Sequence, residues 1–356
     1  MEQRQELSCL IAAGGTAGHV LPALAVAEAL RERSVRVTFA GSPDRVEARL
    51  VPDAGYELDT FRVRGLPRRP NIELARAVAV DALAPAECLR ILRRRRPDVV
   101  LGGGGYVAGP MALAAAAYRT PAALMEADAH LGLANRLAAP FAERVFLALP
   151  IPGRDGAKYR VTGRPVPARS RPRERAEARQ AFELPPDDAV VLVLGGSQGA
   201  RRLNELAVDA WAPAGPAVLH LCGERDFAAL RPRVSRPGYR LLAFTNDVGA
   251  AYSAADLAVA RAGGSVWELA AAGLPAILVP YPHATADHQT KNARHFEAAG
   301  GAVIVPESEL ARVPLLVEDL LADGPRRERM RRAMHEAARP EAADEIAQEL
   351  IALASA

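Results

Sequence analysis

Short apolar runs alternate with glycine-rich turns and amphipathic stretches along most of the chain. Residues 10–13 form an apolar run that leads into the glycine-rich residues 14–18 and then into a helix-like stretch. Residues 191–194 lead in the same way into residues 195–199 and another helix-like stretch. A buried strand, a tight loop and a covering helix produce this pattern in parallel sheets. The pattern therefore predicts an α/β protein.

A second pair of segments repeats in the same order. Residues 98–101 run into the glycines at 102–105, and residues 256–259 run into Gly263 and Gly264. Two matched pairs in one order predict two Rossmann-like domains, each with a doubly wound parallel sheet.

The Pro- and Arg-rich residues 163–175 are typical of a linker and set the predicted boundaries. We place an N-terminal domain at residues 1–164 and a C-terminal domain at residues 165–340. Residues 341–356 are predicted to form a C-terminal helix that could pack back on the N-terminal domain. A length of 356 residues suits two such domains.

The overall charge argues against one class of partner. The 45 Lys and Arg residues against 42 Asp and Glu residues leave a formal net charge of +3. No overall basic field directs the chain to nucleic acid, and we expect no nucleic-acid partner. The longest apolar stretch, residues 112–125, is interrupted by Arg119 and Pro121. It is shorter than the roughly 18 residues that a membrane-spanning helix needs.

The two glycine-rich loops at residues 14–18 and 195–199 are candidate phosphate sites. Each lies where a strand ends and a helix begins, so that free backbone N–H groups and the positive helix terminus face outward. Thr16 and Ser197 add hydroxyl donors. The alternative is a pair of tight turns without a ligand. Neither loop reads G-x-G-x-x-G or G-x-x-x-x-G-K-[ST], which disfavours NAD and Walker-type ATP sites.

Two residues beside these turns carry candidate chemistry. His19 follows the first glycine loop near the carboxyl end of the first strand, where open α/β sheets bind ligands, and it is the candidate general base. Glu268 follows the turn at residues 263–267 and could accept both hydroxyls of a ribose. The alternatives are a helix cap for His19 and an ordinary first-turn carboxylate for Glu268.

Two acidic or histidine-containing clusters raise the question of a metal. His283, Asp287 and His288 lie close together, but the i,i+5 spacing of the histidines does not align them on one helix face. Glu126 and Asp128 are only a pair on one loop. We expect a substrate loop at residues 283–288 and neither a metal nor a cofactor.

Residues 72–96 combine apolar positions with arginines, including four consecutive ones at residues 93–96. Apolar anchors with a basic rim favour an anionic lipid surface. The alternative is a core-facing helix with a charged end.

Taken together, these segments resemble the MurG family of glycosyltransferases, which add N-acetylglucosamine to lipid I in peptidoglycan synthesis. The resemblance covers nearly the whole chain. Its carriers are residues 14–20 with Pro22, residues 103–107 with Gly109 and Pro110, residues 195–201, residues 261–263, Glu268, residues 272–275, and His288, Gln289, Asn292 and Ala293.

The resemblance implies a GT-B fold with two domains facing a cleft, and UDP-N-acetylglucosamine (UDP-GlcNAc) as the donor. Ser197 and its loop would meet the diphosphate, Thr245 the uracil and Glu268 the ribose. Gln289 would hold the sugar. The full set of expected donor-binding residues is Thr16, Ala17, Gly18, Asp128, Ser197, Gln198, Gly199, Thr245, Ser265, Glu268 and Gln289.

The resemblance also implies an inverting transfer to lipid I without a metal, with His19 as the base. It places the enzyme peripherally on the cytoplasmic face of a bacterial plasma membrane, on the anionic inner leaflet. Other cell-wall synthesis proteins are conceivable partners. The residues expected to receive the diphosphate of the acceptor are Gly14, Gly15, Gly103, Gly104, Gly105 and Tyr106.

Three features depart from the family pattern, one of them the turn from Arg261 to Glu268, which is one residue shorter than usual. Asp128 stands where the family usually has Asn. The linker reads Gly163, Arg164, Pro165, Val166, Pro167 instead of Gly-Asn-Pro-Val-Arg, so that Arg164 or Arg169 would have to replace the missing arginine. The alternatives that remain open are a GT-B transferase with another acceptor, a sugar-nucleotide epimerase and a non-catalytic recruitment subunit.

Overall fold

The structure, a computed structural model, describes residues 6–65, 72–195, 200–284 and 287–356, with the backbone alone described for residues 72–82. The chain divides into two compact units. The first consists of Met1–Pro167 and Pro340–Ala356, and the second of Ala168–Arg339. The division thus falls after Pro167 rather than after residue 164.

The first unit is built on a seven-stranded parallel sheet with the strand order β3-β2-β1-β4-β5-β6-β7. Its strands are β1 (Ser8–Ala13), β2 (Arg36–Gly41), β3 (Leu58–Thr60), β4 (Val99–Gly104), β5 (Ala122–Glu126), β6 (Arg144–Leu147) and β7 (Tyr159–Val161). Its helices are α1 (Ala17–Glu32), α2 (Glu47–Asp53), α3 (Ile72–Arg95), α4 (Ala108–Tyr118) and α5 (Leu133–Ala138), with α14 (Ala342–Ala354) from the end of the chain.

The second unit has a six-stranded parallel sheet with the order β10-β9-β8-β11-β12-β13. Its strands are β8 (Val190–Leu194), β9 (Ala217–Leu221), β10 (Tyr239–Leu242), β11 (Leu257–Ala260), β12 (Ala276–Leu278) and β13 (Ala302–Ile304). Its helices are α6 (Arg175–Ala181), α7 (Arg201–Trp211), α8 (Glu224–Leu230), α9 (Val248–Ala254), α10 (Ser265–Ala271), α11 (His288–Ala298), α12 (Val313–Ala322) and α13 (Gly324–Ala338).

Central strands of both sheets are buried throughout because helices cover both faces. All six residues of β1 and all five of β8 are buried. The prediction of two doubly wound α/β domains is therefore confirmed. Each unit reverses its strand order once, between β1 and β4 and between β8 and β11. Such a switch point opens a crevice at the carboxyl ends of the two strands, where open α/β sheets bind ligands.

The last helix, α14, packs on the first unit. Ile346, Ala347 and Leu350 are buried in one apolar cluster with residues of α1 and β1. The ion pair between Arg33 and Asp344 (2.7 Å) joins α14 to the end of α1. The chain thus returns to its N-terminal unit after completing the second one. In the described part of the chain, no helix has the length and apolar character needed to cross a membrane.

Candidate active site

Two glycine segments meet at the switch point of the first unit. The Gly14 amide lies 3.4 Å from the carbonyl oxygen of Gly104, where the loop after β1 touches the end of β4. Gly104 and Gly105 have φ values of +112° and +76°. A Cβ at Gly104 would lie 2.7 Å from Cδ2 of His19, and one at Gly105 would lie 2.2 Å from the Gly14 carbonyl oxygen. Only glycine therefore lets the imidazole and the first loop pack against β4.

His19 lies in the first turn of α1 and is half-buried. Its Nδ1 atom is 3.2 Å from the Thr16 hydroxyl, and the imidazole also has a hydrogen bond with the Gly14 backbone. Burial is the largest influence and lowers the pKa of His19 below its usual 6.5. The imidazole is therefore neutral near pH 7, the state in which it can accept a proton.

The start of α1 keeps three backbone donors available. The amides of Thr16, Ala17 and Gly18 have no acceptor among the described residues, and the Thr16 side chain does not cap the helix. Free N–H groups at the start of a 16-residue helix favour an anion such as a phosphate. The Gly15 amide is different, because it donates to Oε2 of Glu47 at 2.9 Å. The expectation that the whole of residues 14–18 would offer amides to a diphosphate is therefore corrected to the last three.

Glu47 is the main residue of this site that the sequence did not reveal. It begins α2, after the carboxyl end of β2, and its carboxylate lies under the first glycine loop. From the sequence alone, Glu47 cannot be distinguished from the acidic residues that commonly occur in the first turn of a helix. Its only signal is its position just after the strand that pairs with β1.

Tyr106 covers the same loop from the β4 side. A Cβ at Gly15 would lie 2.9 Å from its ring. The Ser42 hydroxyl donates to the Tyr106 hydroxyl at 3.3 Å. Gly103 is packed between Ala13 and Ala23. The structure thus brings together, in one place, the expected residues Gly14, Gly15, Thr16, His19, Gly104, Gly105 and Tyr106.

Glu126 organises the loop after β5. Its carboxylate accepts hydrogen bonds from the amides of Asp128 (3.1 Å) and Gly132 (2.8 Å) and from the side chain of Asn135 (3.0 Å). Burial raises the pKa of Glu126. Both carboxylate oxygens of Glu126 therefore accept hydrogen bonds that stabilise the loop after β5. Across the described residues, no group of three or more His, Cys, Asp or Glu side chains is arranged to hold a metal ion.

In the second unit, Glu268 lies on α10 with one carboxylate oxygen already bonded. Oε2 accepts hydrogen bonds from the hydroxyls of Tyr252 (2.8 Å) and Ser170 (3.0 Å). Burial, followed by the neighbouring Glu268 charge, raises the pKa of Tyr252 well above its usual value, so Tyr252 stays a donor. The other oxygen, Oε1, accepts no hydrogen bond from the residues that the structure describes. Neither Tyr252 nor Ser170 was a sequence-predicted site residue.

Gln289 is the expected donor-site residue that lies near the turn before α10, whereas Thr245 follows β10 at the edge of the sheet. Nε2 of Gln289 is 3.9 Å from a Cβ placed on Gly263, two residues before Ser265. Oε1 of Gln289 accepts from the Tyr281 amide at 2.9 Å. The Thr245 hydroxyl accepts from the Asp247 amide at 3.1 Å, and within the described contacts no hydrogen bond joins Thr245 to Gln289. Ser197, Gln198 and Gly199 lie outside the described residues.

Models of glycosyltransferase family 28 match most of the chain, with the N-terminal domain over residues 9–147 and the C-terminal domain over residues 190–348. The chain is 44% identical to the UDP-N-acetylglucosamine--N-acetylmuramyl-(pentapeptide) pyrophosphoryl-undecaprenol N-acetylglucosamine transferase of Alkalilimnicola ehrlichii, covering 95% of this chain and 96% of the relative. It is 40% identical to the transferase of the same name from Salinibacter ruber, covering 97% and 96%. The crystal structure of Acinetobacter baumannii MurG aligns with a TM-score of 0.77 and 29% identity, over 97% of this chain and 99% of that one.

This chain belongs to the MurG family of glycosyltransferases. The prediction of the family is confirmed, and with it the GT-B fold class and the assignment as an enzyme. The relatives align over almost their full lengths, so the similarity extends through both units.

Asp128 and Arg164, two residues that the sequence analysis expected to depart from the family pattern, are charged, and both act on His19. Arg164 is buried, with 7% of its surface exposed. Its guanidinium donates to the carbonyl oxygens of Gly18 (2.6 Å) and Ala127 (3.2 Å), which ties the start of α1 to the loop after β5. The Asp128 charge raises the pKa of His19, whereas the Arg164 charge lowers it. The negative charge of Asp128 near His19 is therefore opposed by the positive charge of Arg164.

Proposed function

We propose that this chain transfers N-acetylglucosamine from UDP-GlcNAc, with inversion, to the 4-hydroxyl of the N-acetylmuramyl group of undecaprenyl-pyrophosphoryl-MurNAc-pentapeptide (lipid I), which yields lipid II. The observation that carries the proposal is a neutral, half-buried His19 beside three free amides at the start of α1. The names of the relatives support the identity of donor and acceptor. No feature of the described residues favours the epimerase or the recruitment subunit.

The chemistry requires a base and a way to stabilise charge. The acceptor hydroxyl attacks the anomeric carbon, the bond from that carbon to the UDP oxygen breaks, and the hydroxyl proton passes to the His19 imidazole. The amides of Thr16, Ala17 and Gly18 would hold phosphate oxygens. We assign Gly103, Gly104, Gly105 and Tyr106 to the acceptor diphosphate, with Gly14 and Gly15 shaping the loop, and the second-unit residues to UDP-GlcNAc.

The direct test is transfer of labelled N-acetylglucosamine to a lipid I analogue by the purified protein in a chelating buffer. We expect label in the lipid product without added metal. Donor binding by calorimetry without transfer would point to a different acceptor. A strict, reversible requirement for Mg²⁺ or Mn²⁺ would contradict the metal-free proposal.

The Glu268→Gln variant is expected to raise the KM for UDP-GlcNAc about 10- to 100-fold with little change in kcat. Gln keeps the shape but loses the charge, and a hydrogen bond to a charged group contributes about 1.5–3 kcal/mol. Steady-state kinetics check this result, with the exposed Glu205→Gln on α7 as a matched control. A fall in kcat at unchanged KM would show that Glu268 acts on the reacting atoms instead.

We also propose peripheral attachment to the anionic cytoplasmic membrane surface through residues 72–96 and the helices beside them. Leu83 on α3 is 67% exposed, and Leu113, Leu137 and Phe141 are exposed large apolar residues of the same unit. Helix α4, which carries Leu113, packs against both α3 and α5. Contiguous exposed apolar residues of this kind mark membrane or partner surfaces.

The basic rim of this surface is smaller than the sequence indicated. Arg94 pairs with Asp59 (2.6 Å), and Arg95 pairs with Asp59 (2.6 Å) and Glu57 (2.7 Å). The positive charges of these two arginines are therefore partly neutralised by carboxylates of their own unit. Reversing all four charges at residues 93–96 would break these ion pairs, and the clean electrostatic test is a double Arg90→Glu, Arg93→Glu variant.

Replacing Leu83 with Glu is expected to weaken binding to anionic vesicles by about tenfold or more, because burying one leucine contributes about 1.5–3 kcal/mol. Vesicle co-sedimentation measures the effect. Leu315→Glu is the matched control, since Leu315 is 64% exposed on α12 of the second unit. Equal losses for both variants, or none for either, would contradict the proposed surface.

A further inference from the structure

Glu47 is a fully buried carboxylate held by the backbone alone. None of its surface is exposed. Its Oε2 accepts from the Gly15 amide at 2.9 Å and its Oε1 from the Ser42 amide at 3.0 Å. Within the described residues no Lys or Arg forms an ion pair with it. Burying a carboxylate without a cation costs free energy, so packing alone does not explain a glutamate at this position.

The loop leaves space for this carboxylate only because it is made of glycine. A Cβ at Gly14 would lie 2.2 Å from Oε1 of Glu47, and a Cβ at Gly41 would lie 2.8 Å from its Cγ. The sequence analysis assigned Gly14 to acceptor binding. The structure gives another reason for glycine at this position, because any side chain there would collide with Glu47. The carboxylate and the loop are built to fit each other.

One peptide group connects Glu47 to His19. The Gly15 N–H that donates to Glu47 and the Gly14 C=O belong to the same trans peptide group, and they point in opposite directions. On the far side of that group, the Gly14 backbone is hydrogen-bonded to the His19 imidazole. A carboxylate on the N–H side polarises the amide, which strengthens the carbonyl oxygen as an acceptor.

We infer that Glu47 is a positioning residue for His19, acting through the peptide group between Gly14 and Gly15. Gly15 has a φ of +87°, and because glycine has no Cβ, other orientations of this peptide group are also accessible. Glu47 fixes the direction of the Gly14 carbonyl, and the carbonyl fixes the imidazole. When His19 takes the proton of the acceptor hydroxyl, the Glu47 carboxylate stabilises the imidazolium. A carboxylate bonded directly to the imidazole has this role in hydrolase triads.

The inference rests on the proposed function. The direction in which KM changes when the Glu47 charge is removed distinguishes a positioning role from a purely structural one. Glu47 lies beside a loop expected to meet anionic phosphate, where its negative charge opposes binding. Removing that charge should therefore leave KM unchanged or lower it, while kcat falls. A residue that only shaped the loop would raise KM instead.

The pH profile gives a second readout. The charged groups that act on His19 are Asp128 and Glu47, which raise its pKa, and Arg164, which lowers it. Burial already lowers the pKa of His19. Losing the Glu47 charge lowers it further, so the acid limb of the kcat profile should move to lower pH.

The experiment is a double-mutant cycle on the full chain with Glu47→Gln and His19→Gln. We expect Glu47→Gln alone to lower kcat about 10- to 100-fold, since hydrogen bonds to charged groups contribute about 1.5–3 kcal/mol. In the His19→Gln background it should change the residual rate less than about twofold. Equal losses in both backgrounds, or an acid limb that does not move, would overturn the inference.

Two further measurements keep the test decisive. If Glu47→Gln does not fold, Glu47→Asp keeps the charge but shortens the side chain, so kcat should fall while the acid limb stays in place. NMR titration of labelled histidine, with the His19 signal assigned by its loss in His19→Gln, reads the imidazole pKa without turnover. An unchanged His19 pKa in Glu47→Gln would refute the coupling. Absent turnover in the wild-type protein, with the pKa shift present, would refute only the proposed function.

Discussion

Replacing His19 with Gln is expected to lower kcat about 10²- to 10⁴-fold, the usual contribution of a general base. Gln keeps a polar side chain of similar reach in the space beside Gly104, but it cannot take the acceptor proton. The affinity for UDP-GlcNAc should stay within about threefold, because loss of proton transfer removes an interaction made in the transition state. Transfer kinetics and donor calorimetry together check this result. A variant that keeps wild-type turnover would show that His19 is not the base.

If His19 is the general base, the pH profile of the wild-type enzyme should also show its titration. The neutral imidazole is the active form, so activity rises as pH rises through the His19 pKa. Burial lowers that pKa below 6.5. The acid limb of the kcat profile should therefore lie below pH 6.5, and it should be absent from the residual activity of His19→Gln. A limb well above 6.5 would mean that another group titrates.

The Gly104→Ala variant is expected to lower kcat nearly as far as loss of His19, about 10²-fold or more. The new Cβ would lie 2.7 Å from the imidazole Cδ2, and so the ring must move. A displacement of about 1 Å at a reacting group can cost about 10²-fold. Kinetics combined with the NMR titration of His19 would show the displaced ring.

The control for Gly104→Ala is Gly55→Ala. Both glycines have positive φ, +112° and +80°, and each substitution therefore strains the backbone, by roughly 1–2 kcal/mol. A Cβ at Gly55 meets nothing within 4 Å. Gly55→Ala should lower the melting temperature slightly and leave kcat unchanged. If both variants lose activity equally, the effect of Gly104→Ala comes from strain and not from contact with His19.

Much of the candidate site could be predicted because its elements are short and continuous in sequence. The loop at residues 14–18 and the glycines at 103–105 each follow an apolar strand, and the structure places both at one switch point. His19 follows the first loop directly, so its place at the carboxyl end of β1 needed no tertiary information. The ion pairs of the basic run could not be predicted, since nothing in residues 93–96 shows that Arg94 and Arg95 pair with Asp59.

The sequence by itself determined the two doubly wound units, the two pairs of matched loops and the family, because strand periodicity and glycine turns are local properties. Only the tertiary structure decided which side chains support the chemistry. Gly15 and Glu47 are 32 positions apart, and Tyr252 and Glu268 are 16 apart. The first contact forms because β1 and β2 pair in parallel and bring their carboxyl ends together. Strand order in the sheet, which a single sequence does not encode locally, selects such partners.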